Sequence, residues 1–153
     1  MKKTLLISSI VLSVVVLFSA CVNANSNVES KENKEGIFFH SGTWEQALEK
    51  ARKENKLIFF DANTSWCPPC KRMERRTFPD PEVGKYFNSN FINVKMDMEK
   101  GEGIALSKKF PIPGYPTLFF IDGTEKIVAQ QSGGLNPSQL LAYAKATLNT
   151  QPE

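Results

Sequence analysis

The four residues Cys67-Pro68-Pro69-Cys70 stand where the pattern of the chain changes. Before them, Leu57-Ile58-Phe59-Phe60 is a short continuous apolar run, the signature of a strand covered on both faces. After them, Lys71-Arg72-Met73-Glu74-Arg75-Arg76 continues without a breaker, and prolines suit the first turn of a helix. The cysteine pair therefore opens a helix that follows a buried strand. Two thiols so placed are close enough to bridge, and the unpaired backbone N–H groups of the first turn favour thiolate on the first of them. Cys67 is read as the attacking sulfur. Cys70, about one turn on, faces inward and resolves the mixed disulfide.

The rest of the chain supplies the layers around that unit. Thr43 and Gln46 match a capping box, and Trp44, Ala47, Leu48 and Ala51 follow at helical spacing, which predicts a helix from about Thr43 to Asn55. Pro79 and Pro81 interrupt the helix after the cysteines, and Asp80-Pro81 caps a second piece to about Asn88. Phe91 to Met96 reads as a second buried strand and Ile104 to Phe110 as a short helix ended by Pro111 and Pro113. Thr117 to Ile121, Asp122-Gly123 and Lys126 to Gln130 read as a hairpin. Asn136-Pro137 caps a last helix that turns Leu140, Leu141, Ala144 and Leu148 to the sheet. Ile37-Phe38-Phe39 is a candidate short strand. This order places helices on both faces of a central mixed β-sheet, an α/β architecture.

The N-terminus reads differently. Lys2 and Lys3 precede an acid-free apolar run from Leu5 to Ala20, the order of a secretory signal. Leu17-Phe18-Ser19-Ala20-Cys21 resembles a bacterial lipobox, with Phe18 where that motif usually has Leu, and would put a lipid on Cys21. Cleavage after Ala24 would discard Cys21 instead. An uncleaved anchor is the third reading, although the run is slightly shorter than the roughly 18 apolar residues a span requires. The organisation expected is a signal peptide of lipoprotein type over 1–20, a polar flexible tether over 21–36 and one folded domain over 37–150. Export sets the redox context as well, since disulfides persist outside the cytosol.

At the cysteines the chain resembles thioredoxin-like proteins, through Trp66-Cys67-Pro68-Pro69-Cys70-Lys71, the order of elements and the later Tyr115-Pro116-Thr117. The Trp44 helix and Thr77-Phe78-Pro79-Asp80-Pro81-Glu82-Val83 look like the exported domains related to the C-terminal domain of the disulfide reductase DsbD. The resemblance covers roughly Gly36 to Asn149. It implies the thioredoxin fold and a thiol–disulfide oxidoreductase whose dithiol carries the electrons, with no bound cofactor. By position it makes Asp61 the buried acid that exchanges a proton with Cys70, and burial should raise its pKa. It makes Lys95 the lysine that accompanies that acid, where the plainer reading is an ordinary strand-end ion pair. It makes Pro116 the cis proline, with Tyr115 offering backbone groups to an extended substrate as in strand addition. Trp66, beside the nucleophile, lines the same contact surface.

Other chemistry is poorly served. The formal charge of +3 is small and the cations are interleaved with acids, so nucleic acid is not implied. His40 is the only histidine and no third soft ligand follows Cys70, so a tetrahedral metal site lacks ligands. His40 itself reads as a surface or packing residue, Lys71, Arg72, Arg75 and Arg76 as a solvated basic face, and Asn63-Thr64-Ser65 as a chance match to a glycosylation pattern. Two functions remain in view. One is an enzyme exchanging or reducing disulfides of exported proteins, supplied by a membrane electron donor and held at the membrane by its lipid; the other is a membrane-tethered peptide-binding module without turnover.

Overall fold

Thr43 opens the first helix as expected: its hydroxyl accepts from the Gln46 N–H while the Gln46 side chain accepts from the Thr43 N–H. This computed structural model describes residues 36–150; the signal, most of the tether and Cys21 lie outside them. Helix α1 (Trp44–Glu54) buries Trp44, Ala47, Leu48 and Ala51 along one stripe and ends at Asn55, which is left-handed at φ 49. Strand β1 (Leu57–Asn63) is buried along its whole length and runs three residues beyond the apolar run, taking Asp61 and Asn63 into the sheet. Helix α2 (Pro68–Arg76) has Cys67 as its N-cap, and α3 (Pro81–Asn90) is capped by Asp80, whose carboxylate accepts from the Glu82 and Val83 N–H groups.

Strand β2 (Phe91–Asp97), helix α4 (Gly103–Lys109), strands β3 (Thr117–Ile121) and β4 (Ile127–Ser132) and helix α5 (Pro137–Asn149) complete the described chain. The sheet order is β2-β1-β3-β4, with β1 and β2 parallel and the other pairs antiparallel, so the sheet is mixed as the sequence predicts. In the hairpin the turn is built by the Asp122 side chain, which accepts from the N–H groups of Thr124 and Lys126. The left-handed residue there is Glu125, at φ 68, rather than Gly123.

One expectation is corrected. Ile37-Phe38-Phe39 is not a strand: the Ile37 and Phe38 N–H groups donate to the Phe78 carbonyl and the Asn88 side chain, and the backbone of this segment reaches the β2 backbone only at the next residue, where the His40 N–H donates to the Asn93 carbonyl at 2.7 Å. In α5 the fully buried stripe is Leu140, Ala144 and Thr147, and Leu141 and Leu148, half-buried, pack against the same layer, as the sequence predicts. The i, i+4, i+7 spacing sets that stripe, and the Thr147 hydroxyl is satisfied inside the helix by the Tyr143 carbonyl.

Alternation along the strands divides the interior in two. Ile58, Phe60 and Ala62 of β1 join Ile92, Val94, Phe119 and Ile121 under α1 and α4. Leu57 and Phe59 join Phe91, Leu118 and Phe120 under α2, α3 and α5, where Met73, Val83, Phe87 and Leu140 meet them. Asp61 and Asn63 follow Phe59 at steps of two, so both point to the face that carries the cysteine helix.

Candidate active site

The chain leaves β1 at Asn63 and reaches Cys67 in four residues, with the Cys67 N–H donating to the Thr64 carbonyl at 3.3 Å. Two ties hold this link against the end of β2: the Met98 N–H donates to the Asn63 carbonyl at 2.8 Å, and the Ser65 N–H to Asp97 at 3.2 Å. Cys67 has the extended backbone of an N-cap, and its Sγ accepts from the Cys70 N–H at 3.2 Å. Pro68 and Pro69 occupy the first turn, where a missing N–H costs nothing. Cys67 and Cys70 are joined as a disulfide with Cα atoms 5.3 Å apart. When reduced, a sulfur at this position faces the positive end of α2, which lowers the cost of its negative charge. Exposure does not separate the two sulfurs, since Cys67 is 1% and Cys70 3% exposed; position on the helix does.

Asp61 is 1% exposed. One carboxylate oxygen, Oδ2, accepts from the Asn63 side-chain amide at 3.0 Å, and the other, Oδ1, has no hydrogen-bond partner. Burial pushes the Asp61 carboxyl up to about 7, against the pull of the Asn63 hydrogen bond and the Lys95 charge and with a further push from Glu74. A carboxyl so tuned changes protonation at neutral pH. Lys95 faces Asp61 across the β1–β2 register, yet its ammonium makes its ion pair with Glu74 of α2 at 2.8 Å and lies 5.4 Å from the Phe39 ring centre. The strand-end ion pair between Asp61 and Lys95 is therefore not formed. Lys95 acts on Asp61 only at longer range, because a partner at the protein surface offers it a better-solvated contact.

Tyr115-Pro116 is the cis peptide that the resemblance implies. The Pro116 carbonyl accepts from the Gly133 N–H at 2.8 Å, while the backbone of Tyr115 makes no hydrogen bond within the described residues. Trp66 is 60% exposed, meets the Tyr115 ring edge-on at 5.9 Å, and donates its indole N–H to Glu99 at 2.9 Å. The structure thus gathers Trp66, Cys67 and Tyr115-Pro116 at one end of the sheet. Asn63, Glu74 and Glu99 are contacts that the sequence reading missed. A spacing of two from Asp61 on a strand is the signal that could have revealed Asn63. A spacing of four from Cys70 on a helix could have revealed Glu74. His40 lies half-buried near the opposite edge of β2 and takes no part.

Residues 39–123, which include every one of these side chains, match a family model described as thioredoxin-like. The chain is 38% identical over 99 residues to thioredoxin H4 of Arabidopsis thaliana, covering 65% of this chain and 77% of that protein. It is 32% identical over 108 residues to the thiol:disulfide interchange protein DsbD of Pseudoalteromonas atlantica, covering 69% of this chain but 18% of that much longer protein. Among solved structures, a candidate disulphide-isomerase from Bacteroides thetaiotaomicron shares 42% identity at a TM-score of 0.67, over 77% of this chain and 98% of that one. The C-terminal domain of Neisseria meningitidis DsbD, at 22% identity and a TM-score of 0.58 over 72% of this chain and 98% of that one, shares the fold. With its paired cysteines at a helix N-cap and these relatives, the chain belongs to the thioredoxin-like family, as a thiol–disulfide oxidoreductase.

Proposed function

We propose that this protein reduces or exchanges disulfides of exported proteins through the Cys67-Pro68-Pro69-Cys70 dithiol. The observation that carries the reading is the N-cap position of Cys67, with its sulfur turned to the first turn of α2 and a buried acid on the strand that leads there. The Cys67 thiolate attacks one sulfur of the substrate disulfide; an S–S bond to Cys67 forms and the other substrate sulfur leaves as thiolate and takes up a proton. Asp61 then accepts the proton of Cys70. The Cys70 thiolate attacks the Cys67 sulfur, closing the internal disulfide and releasing the second substrate thiolate, to which the proton returns. The substrate gains two electrons and two protons; the dithiol supplies both electrons and the Cys70 proton, and the other proton comes from solvent, which received it when Cys67 ionised. Trp66 and the free backbone of Tyr115 beside Pro116 hold the substrate as an added strand.

The sequence supports a place in the cell envelope, reached by a signal and kept by a lipid on Cys21, with the residues up to Gly36 as a spacer. The DsbD relatives, thiol:disulfide interchange proteins, agree with such a setting. A membrane electron donor would restore the dithiol.

Insulin reduction by the dithiothreitol-reduced protein tests turnover, and absence of turnover with both cysteines intact would leave a peptide-binding module. Cys67→Ser should abolish exchange, whereas Cys70→Ser should accumulate mixed disulfides with substrates. Capture by Cys67→Ser and none by Cys70→Ser would reverse the two roles. Mass spectrometry of native protein should show an acylated Cys21, and a mature terminus at Asn25 would exclude the lipid.

A further inference from the structure

Helix α2 carries four exposed cations, Lys71, Arg72, Arg75 and Arg76, but their surroundings differ. Arg72 and Arg76, one turn apart, border a groove of about 370 Å³ whose other wall is the loop 134–137 with Gln139. Pro69 of the cysteine motif itself stands in the lining, and Met73 and Leu135 give it apolar surface. The walls are tied together before anything binds. The Thr77 hydroxyl donates to the Leu135 carbonyl at 2.7 Å, and the Leu135 N–H donates to the Met73 sulfur at 3.5 Å. Gly133, left-handed at φ +92 as glycine allows, connects the loop to the Pro116 carbonyl. The loop that walls the groove is therefore tied to the cis-proline segment.

Among the described residues no carboxylate pairs with Arg72 or Arg76; Glu74, the acid of the same helix, stands two residues from each, on another face, and pairs with Lys95. Two unpaired guanidinium groups over apolar surface suit carboxylates on a short stretch of chain: each fork donates two parallel hydrogen bonds to a carboxylate, and the intervening side chains cover Pro69 and Leu135. We propose that this groove receives an acidic segment of the substrate protein, close in its chain to the disulfide under attack. The proposal names a substrate class for the exchange reaction above and rests on it. The net charge of the chain, +3, is too small to gather acidic partners without such a local feature.

Two disulfide-closed peptides test this, identical except that one carries two Glu and the other two Gln beside the cysteines. At low ionic strength the parent protein should reduce the Glu peptide with about tenfold higher kcat/KM, the size expected for two partly exposed charge contacts. The double variant Arg72→Gln/Arg76→Gln should bring that ratio to about one, and Arg72→Glu/Arg76→Glu should favour a Lys-flanked peptide. Arg75→Gln, which removes one cation of the same helix outside the groove, should leave the ratio within about twofold of the parent's. A ratio near one in the parent overturns the proposal. So does a ratio that survives the double Gln variant or that falls as far in Arg75→Gln. Reduction of neither peptide by the parent, with no capture by Cys70→Ser, instead overturns the exchange reaction and the groove with it.

Discussion

The two faces of β1 are built from adjacent residues and have opposite chemistry. Ile58, Phe60 and Ala62 enter a layer under α1 and α4 that is built round aromatic and aliphatic side chains, with the Phe60 ring 5.1 Å from Trp44 and 5.8 Å from Phe119. Phe59, Asp61 and Asn63 enter the layer under α2, α3 and α5, and toward the cysteine end that layer turns from rings to a buried carboxyl and amide. A buried carboxyl with a bare oxygen works against stability. One face is thus made to hold the sheet together, and the other gives up part of that for a titrating group beside the cysteine helix.

The largest expected effect tests the first half of that contrast. Phe60→Ala should lower the unfolding free energy of the oxidised protein by about 4 kcal/mol, through lost burial and the cavity left among Trp44, Phe110 and Phe119. Because the rings that Phe60 meets do not titrate, urea unfolding at different pH values should give the same loss. A loss under ~1 kcal/mol would mean that the layer closes over the gap, and the division of labour between the faces would fail.

Asp61→Asn should do the reverse. The folded protein keeps the Asp61 proton up to about 7, whereas the unfolded chain releases it near 3.8. Across that window the native state binds more protons than the unfolded state, so stability falls as pH rises through it. Removing the acid should stabilise the protein by roughly 4 kcal/mol at about pH 8, and hardly at all near pH 4, since each pH unit between the two titrations is worth ~1.4 kcal/mol. The same variant should slow closure of the internal disulfide by Cys70 about 100-fold at neutral pH, with a smaller effect on the first attack by Cys67. A stability gain that ignores pH, or unchanged closure in stopped-flow reduction, would make Asp61 a structural residue.

How far the sequence shows this division depends on the distance over which each feature acts. The helix start at Cys67, the caps at Thr43, Asp80 and Asn136 and the continuous apolar run from Leu57 to Phe60 are local patterns, and the fold follows them closely. Asn63 was obscured by a competing pattern: it matches a glycosylation triplet, while its actual partner is two residues back on the same strand. The Lys95–Glu74 pair joins residues on different elements, so Lys95 looks free to meet Asp61 until α2 is laid over the sheet. The groove at Arg72 and Arg76 is still more remote, since its second wall lies about sixty residues on.

Asn63 and Lys95 both favour the charged form of Asp61, but from different places, and that difference is measurable. Asn63→Ala removes the hydrogen bond to Oδ2 of the buried carboxylate, and the pH at which Cys70 closure is half-maximal should rise by about one unit, since a hydrogen bond to a charged group is worth ~1.5–3 kcal/mol. Asn63→Ser, which keeps a short donor, should recover part of it. A stability loss with an unmoved profile would reduce Asn63 to packing.

Lys95→Met should give the smallest effect, in the same direction. Lys95 is partly exposed and already paired with Glu74, so its loss removes an attraction for the Asp61 charge and leaves the Glu74 charge uncompensated. Both changes raise the closure midpoint, by a few tenths of a pH unit at low ionic strength given the solvent around the pair. Two further measurements separate this from the Asn63 effect. Added salt at about 1 M, where screening acts within ~3 Å, should erase most of the Lys95→Met shift and little of the Asn63→Ala shift, because only the former acts through solvent-accessible charges. Adding Glu74→Gln to Lys95→Met should return the midpoint toward the parent value, since the two charges of the pair oppose each other at Asp61. A downward shift in Lys95→Met, or one that survives both salt and the second substitution, would mean that Lys95 contacts Asp61 directly during turnover and that its pairing with Glu74 is released when the cysteines react.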